Sequence, residues 1–149
     1  MDRGEEALKY AHFTPGSGNC GGGDWRCIVI DEAHLEAGGY GVSLALWDGA
    51  PVIAYFGQDG LGRSVVKVAQ PKAGGNCGVL LPLNVPTWQC DVVDDGERQD
   101  GYHEVGDAIS LAVSPSGRAY IAYHDATDGD LLLAEQMFPL WLPLVQRNP

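Results

Sequence analysis

The 149-residue sequence predicts an all-β chain built from short antiparallel strands. Three observations carry that prediction. Its apolar segments are short, rich in β-branched and aromatic residues, and bounded by Gly, Pro, Asn or Asp, which is the strand signature. No stretch holds a 3.6-residue apolar period over three turns between caps; Ala33 to Ala37 comes nearest and is too short for a helix. Gly supplies 21 residues, about twice the ordinary share of roughly 7 %, with no Gly-X-Y period, so tight turns absorb it rather than a collagen helix.

The elements recur. Ser43-Leu44-Ala45-Leu46 returns as Ser110-Leu111-Ala112-Val113, and Ile53-Ala54-Tyr55 returns as Ile121-Ala122-Tyr123. A turn separates the members of each pair, Trp47-Asp48-Gly49-Ala50-Pro51 in one copy and Ser114-Pro115-Ser116-Gly117 in the other. A third element occurs three times, as Leu8-Lys9-Tyr10-Ala11, Val66-Lys67-Val68-Ala69 and Leu131-Leu132-Leu133-Ala134. A fourth follows each: Trp25 to Asp31, Trp88 to Asp94, and a degraded copy from Trp141 to Gln146. With these elements named A, B, C and D, the chain reads C-D, A-B-C-D, A-B-C-D, ten strands in all.

Four short antiparallel strands per repeat is the pattern of a β-propeller blade. A four-stranded sheet cannot bury both of its faces alone, and stacking blades face to face buries them. The expected architecture is one domain over 1–149, an incomplete ring: a half blade at 1–31, a blade at 41–94 and a blade at 106–146. Leu44, Leu46, Ile53, Tyr55, Leu111, Val113, Ile121 and Tyr123 alternate at period two and are expected to face a neighbouring blade. Ala45, Ala54, Ala112 and Ala122 suit the crowded sheet near the axis. About two and a half blades fall short of the usual 4–8, so the chain is expected to be a piece of a longer protein or to self-associate through its open ends, as a ring or a filament.

Taken together, Ser-Leu-Ala-Leu, a Gly turn, Ile-Ala-Tyr, Leu-Lys-Tyr-Ala, then Trp and Val-Val-Asp resemble the repeat of bacterial secreted β-propeller proteins, which are sialidase-like in shape. The resemblance spans all but the last few residues. It implies a fold and an extracytoplasmic setting, and almost nothing about activity.

The cysteines fit that setting. Cys20 and Cys77 each sit in a Gly-Asn-Cys-Gly loop between C and D, while Cys27 and Cys90 each lie two residues after a D-strand Trp. The third repeat lacks both members. Joint presence and joint absence predict Cys20–Cys27 and Cys77–Cys90, one of three connectivities. Zinc needs closer ligand spacing than these gaps offer. Bridges persist in oxidising compartments. The charged start, Met1 to Glu6, carries no apolar leader, which taken alone points to the cytosol; the cysteines point the other way, and a natural N-terminus lying upstream of Met1 is the expectation that reconciles the two.

A net charge of −11 disfavours nucleic acid and anionic membranes as partners. No window approaches the ~18 apolar residues of a membrane-spanning helix. The D-to-A and B-to-C loops should emerge on one face of a propeller. That places His34, Glu36, Tyr40, His103, Glu104, Asp107, His124 and Asp125 on one rim, the candidate binding surface for a glycan or a protein. Asp125, Asp128 and Asp130 invite a Ca²⁺ reading, yet their spacing is not that of an EF-hand loop and Asp-Gly pairs are ordinary turn residues. No cofactor is expected, with Ca²⁺ the one ion the loops could suit. Trp47, in the A-B turn, either stacks on a sugar or covers a neighbouring loop.

Arginine is scattered rather than clustered, the Asp-box of sialidases is missing, and no pair of carboxylates is singled out by spacing. The sequence reads as a non-catalytic, extracytoplasmic binding or assembly module. A remnant of a glycan-acting propeller enzyme and a self-assembling structural subunit stand as alternatives.

Overall fold

The computed structural model describes residues 7–21, 23–32, 41–80 and 85–138. These hold twelve strands and no helix: β1 (Leu8–Phe13), β2 (Trp25–Asp31), β3 (Val42–Trp47), β4 (Ala50–Gln58), β5 (Ser64–Pro71), β6 (Cys77–Leu80), β7 (Val85–Asp94), β8 (Glu97–Arg98), β9 (Gly101–Tyr102), β10 (Val105–Val113), β11 (Arg118–Asp125) and β12 (Asp130–Met137). All pairing is antiparallel. Elements C-D form the sheet β1-β2, A-B-C-D form β3-β4-β5-β7, and A-B-C form β10-β11-β12. The third D element, Trp141 to Gln146, lies outside the described residues.

The repeat extends to register. Leu44 faces Ile53 as Leu111 faces Ile121, and Tyr55 faces Lys67 as Tyr123 faces Leu132. Even the irregularity recurs: Leu8↔Asp31 slips to Lys9↔Val29, and Val66↔Asp94 slips to Lys67↔Val92. Two features exceed the sequence expectation. β6 adds a fifth strand outside β7, and β8-β9 form a small hairpin in the loop between D and A.

Each face of the central sheet carries a core. On one, Val52 and Ala54 of β4 and Val66 and Val68 of β5 pack with Leu111, Ile121 and Tyr123 of the last sheet. On the other, Ile53 and Tyr55 of β4, with Ala69 and Trp88, pack with Leu8 and Ile30 of the first sheet. β4 therefore reads as one continuous buried run instead of alternating, as a strand buried on two faces should.

Polar contacts fix how the layers sit. The Tyr55 hydroxyl donates to Asp31 at 2.6 Å, and the Tyr123 hydroxyl donates to Asp94 at 2.6 Å. These are one contact made twice: a B-strand Tyr reaches the last residue of the preceding D strand. Along the inner strands, the Leu111 N–H donates to Ser43 Oγ at 3.0 Å.

The alternation expected of the A strands holds for one copy only. Leu111 and Val113 pack into the core as expected, whereas Leu44 and Leu46 are exposed. The cause is the neighbour: among the described residues the sheet on that side has only β1 and β2, and no β3 residue joins its core. Ala54 is fully buried, but Ala112 is exposed on the outer face of the last sheet. Trp47 lies 5.9 Å from Phe138 and its ring covers Gly117, where a Cβ would strike it, so it roofs the neighbouring turn.

The two disulfides join Cys20 to Cys27 and Cys77 to Cys90, the predicted pairs. Each belongs to a larger clip. The Asn19 side chain donates to the Cys27 carbonyl and accepts the Cys27 N–H, and Asn76 does the same with Cys90. Asn19 and Asn76 also donate their own N–H to the carbonyls of Trp25 and Trp88. The preceding glycine is required by contact, since a Cβ on Gly75 would run into the Trp88 carbonyl. So Gly-Asn-Cys with Trp-x-Cys is a closed structural unit.

Candidate functional site

Three loops meet at one end of the stack: the β4-β5 hairpin, the segment from β8 to the start of β10, and the β11-β12 turn. His103 ties two of them together. Its Nδ1 lies 2.9 Å from Asp125 Oδ2 and its Nε2 lies 3.2 Å from Asp100 Oδ1, with Asp128 at 3.5 Å from Nδ1. His103 and Asp125 are both buried. Carboxylates only accept, so both ring contacts are satisfied together when the imidazole carries two protons. The hydrogen bond to Asp125 is the main cause that raises the His103 pKa, against the opposing effect of desolvation. For Asp125, burial works upward. The bonds from His103 and from the Asp128 and Thr127 N–H groups outweigh it and lower its pKa.

The chemistry of this cluster is that of a turn. Asp125 Oδ1 accepts the N–H groups of Thr127 and Asp128, and Oδ2 faces His103. His103, Asp125 and Asp128 offer three ligand atoms within 4.8 Å of one another, so they are the residues that could hold an ion. His103 and Asp125 already spend their nitrogens and oxygens on each other, on Asp100 and on backbone N–H groups.

A bulge places the next pair. The ladder runs Val105↔Asp125 and resumes at Ile109↔Tyr123, so 106–108 bow out opposite His124. Gly106 makes the bow with φ +92°, and a Cβ there would press on Val66. Asp107 thereby meets His124, Oδ1 to Nδ1, at 2.8 Å.

Beside this bulge opens a cleft of about 450 Å³. Phe56, Gln58, Arg63, Ser64, Tyr102, Glu104 and Asp107 line it. Two of them are tied together: Ser64 Oγ and the Tyr102 hydroxyl lie 2.5 Å apart, and Ser64 Oγ accepts the Val105 N–H at 2.9 Å. Arg63 lies over the Tyr102 ring at 5.2 Å and is held by Asp59 and Glu97. The bond to Asp59 chiefly raises the Arg63 pKa, while the Arg63 backbone N–H chiefly lowers that of Asp59. Beneath the rim, Asp94 accepts from both Arg98 terminal nitrogens, from Tyr123 and from the Gly96 N–H. Burial alone would raise Asp94; these four bonds hold it at about 2.

Of the rim residues read from the sequence, Glu104 and Asp107 line the cleft, and His124, His103 and Asp125 adjoin it. His34, Glu36 and Tyr40 lie outside the described residues. Sequence reasoning missed Arg63, Ser64, Tyr102 and Gln58. The one available signal was Asp59-Gly60, a turn pair that marks where the Arg63 loop begins.

No family model matches the chain, and neither a curated protein nor a solved structure matches it.

Proposed function

We propose that this chain is a non-catalytic, extracytoplasmic module of β-propeller type whose work is assembly: its sheets stack as blades, and its two end faces take further sheets. One observation carries the reading. Val66 and Val68 are 0 % and 1 % exposed between the central and last sheets, whereas Leu131 and Leu133, at the same repeat positions, are 78 % and 67 % exposed. At the other end, Trp88 is 4 % exposed against Tyr10, whereas its equivalent Trp25 is 51 % exposed beside Phe13. Positions that the repeat uses for burial stand bare at both ends, as a contiguous apolar surface does when it is an interface.

The two faces differ, so contact between copies is head-to-tail and yields a ring or a filament. Light scattering over a concentration series tests this. The chain grows beyond a monomer as concentration rises, and Leu133→Glu, changing an exposed residue, stops the growth without loss of β signal in circular dichroism. A monodisperse monomer throughout the range refutes it. The disulfides fit an oxidising compartment.

The cleft supports a second role, capture of a glycan or protein ligand at the rim. The Glu104 carboxylate has no partner among the described residues, and Gln58, Arg63 and Tyr102 line the same cleft. Glycan-array binding without turnover, weakened by Glu104→Gln, is the expected result; hydrolysis of a glycoside refutes the non-catalytic reading.

A further inference from the structure

Among the described residues the first sheet has only the C and D strands of a repeat, and the space an A-B pair would take has a defined chemistry. β1 pairs with β2 on one side, and its other edge has no strand partner among the described residues. Such an edge is a row of open N–H and C=O groups. β1 and β2 lie over β4, β5, β7 and β6 of the central sheet: Leu8 and Ile30 pack with Ile53 and Tyr55, Tyr10 sits 5.4 Å from Trp88, Asp31 meets Lys67 at 2.8 Å, and β2 runs beside β6. β3 is left uncovered, with Val42, Leu44 and Leu46 exposed on it. One repeat later the equivalents of Leu44 and Leu46, namely Leu111 and Val113, are packed in the core. What packs on them there is the opposite face of an A-B hairpin, through Ala45, Trp47, Val52 and Ala54.

We infer that the open edge of β1 and the floor of β3 form a docking site for a β-hairpin of the A-B type. The occupant is an extended segment that pairs antiparallel with β1, as β4 pairs with β5, and sets small or β-branched residues at alternate positions onto Leu44 and Leu46. Backbone pairing supplies the affinity and the alternate side chains supply the choice of partner. The inference rests on the stacking reading for the identity of the missing strands, and it makes no use of the end face on β12.

The probe is a synthetic peptide of residues 108–125, the chain's own second A-B hairpin, titrated into the full chain by calorimetry. Binding is one-to-one and slows amide exchange in Leu8–Phe13. Leu44→Glu weakens it by about tenfold or more, as does Leu46→Glu; both residues are exposed, so circular dichroism stays unchanged. Leu133→Glu leaves hairpin binding intact, and a peptide carrying Ile121→Pro does not bind. The inference falls if the hairpin does not bind, if it binds the Leu44→Glu chain equally well, or if exchange slows in β12 instead of β1. A chain that binds the hairpin but never self-associates refutes the assembly reading and leaves this one standing.

Discussion

Replacing Asp94 by Asn should cost about 2 kcal/mol at neutral pH and almost nothing in strong acid. Asp94 takes two bonds from Arg98, at 2.9 and 2.7 Å, one from Tyr123 of the next sheet at 2.6 Å and one from the Gly96 N–H at 2.8 Å. They hold its pKa at about 2, against an ordinary value of 3.8. At about 1.4 kcal/mol per pH unit, that difference is about 2 kcal/mol of folding free energy. The sign follows from the direction. A depressed carboxyl stabilises the fold above its unfolded pKa and loses the contribution as pH falls through the folded one. The window is therefore from just above pH 4 down to about 2. Asn keeps the shape and one acceptor but not the charge. The assay is urea unfolding of both chains, disulfides intact, at pH 7, 4, 3 and 2. The wild type should lead by about 2 kcal/mol at pH 7, and the lead should shrink to a few tenths by pH 2. Equal stability at pH 7, or a deficit that ignores pH, would refute the reading that the charge on Asp94 couples its loop to the last sheet.

Other outcomes follow from the same contacts. Removing Cys77–Cys90 by paired Ser substitution should cost about 3 kcal/mol from loop closure, and Cys20–Cys27 slightly less because its loop is shorter, as read by thermal unfolding. Tyr55→Phe leaves Asp31 with Lys67 as its one side-chain donor among the described residues and should cost about 1.5 kcal/mol in urea unfolding, since the lost bond is to a charged acceptor. His103, facing Asp125, Asp128 and Asp100, has a raised pKa. Its contribution is whole below the unfolded His value and fades as pH rises through the folded one, so His103→Gln should be more damaging at pH 5.5 than at pH 8.5. Leu111→Ala should cost about 2–4 kcal/mol in the same assay, while Leu44→Ala, at the same repeat position, should cost little.

The strands, their order and the disulfides were legible because each rests on local chemistry repeated in the chain. Ser-Leu-Ala-Leu and Ile-Ala-Tyr alternate at period two and recur across turns that differ by one residue, and both copies pair in the same register. β6 was not legible, since Cys77-Gly78-Val79-Leu80 looks like loop until Gly78 lets it lie against Trp88. The cleft was legible only in part. Glu104 and Asp107 come from the loop that repeat logic places on the rim, but Arg63 and Tyr102 are brought together from separate loops, with no spacing to announce them. Burial at the rim was not legible either. His103 and Asp125 read as exposed polar loop residues and instead pair with each other inside the loop cluster.

Repeat equivalence turns the exposed apolar residues from background into evidence. A single exposed Leu on a sheet is ordinary. Here three of them have a twin on the same strand in the same register, so strand pairing does not account for the difference in burial. Leu44 and Leu111 sit opposite Ile53 and Ile121 in matching ladders. The remaining variable is the neighbouring sheet, present for Leu111 and incomplete for Leu44. The same comparison holds for Val68 with Leu133 and for Trp88 with Trp25. The three comparisons fall on the front of β3, the back of β12 and the front of β2, which are the places where the stack lacks a layer. A chain selected to remain alone would be expected to replace such residues with charged ones, as edge and surface strands do. This one keeps Leu131 and Leu133 on β12 and Trp25 on β2, which supports the assembly reading proposed above.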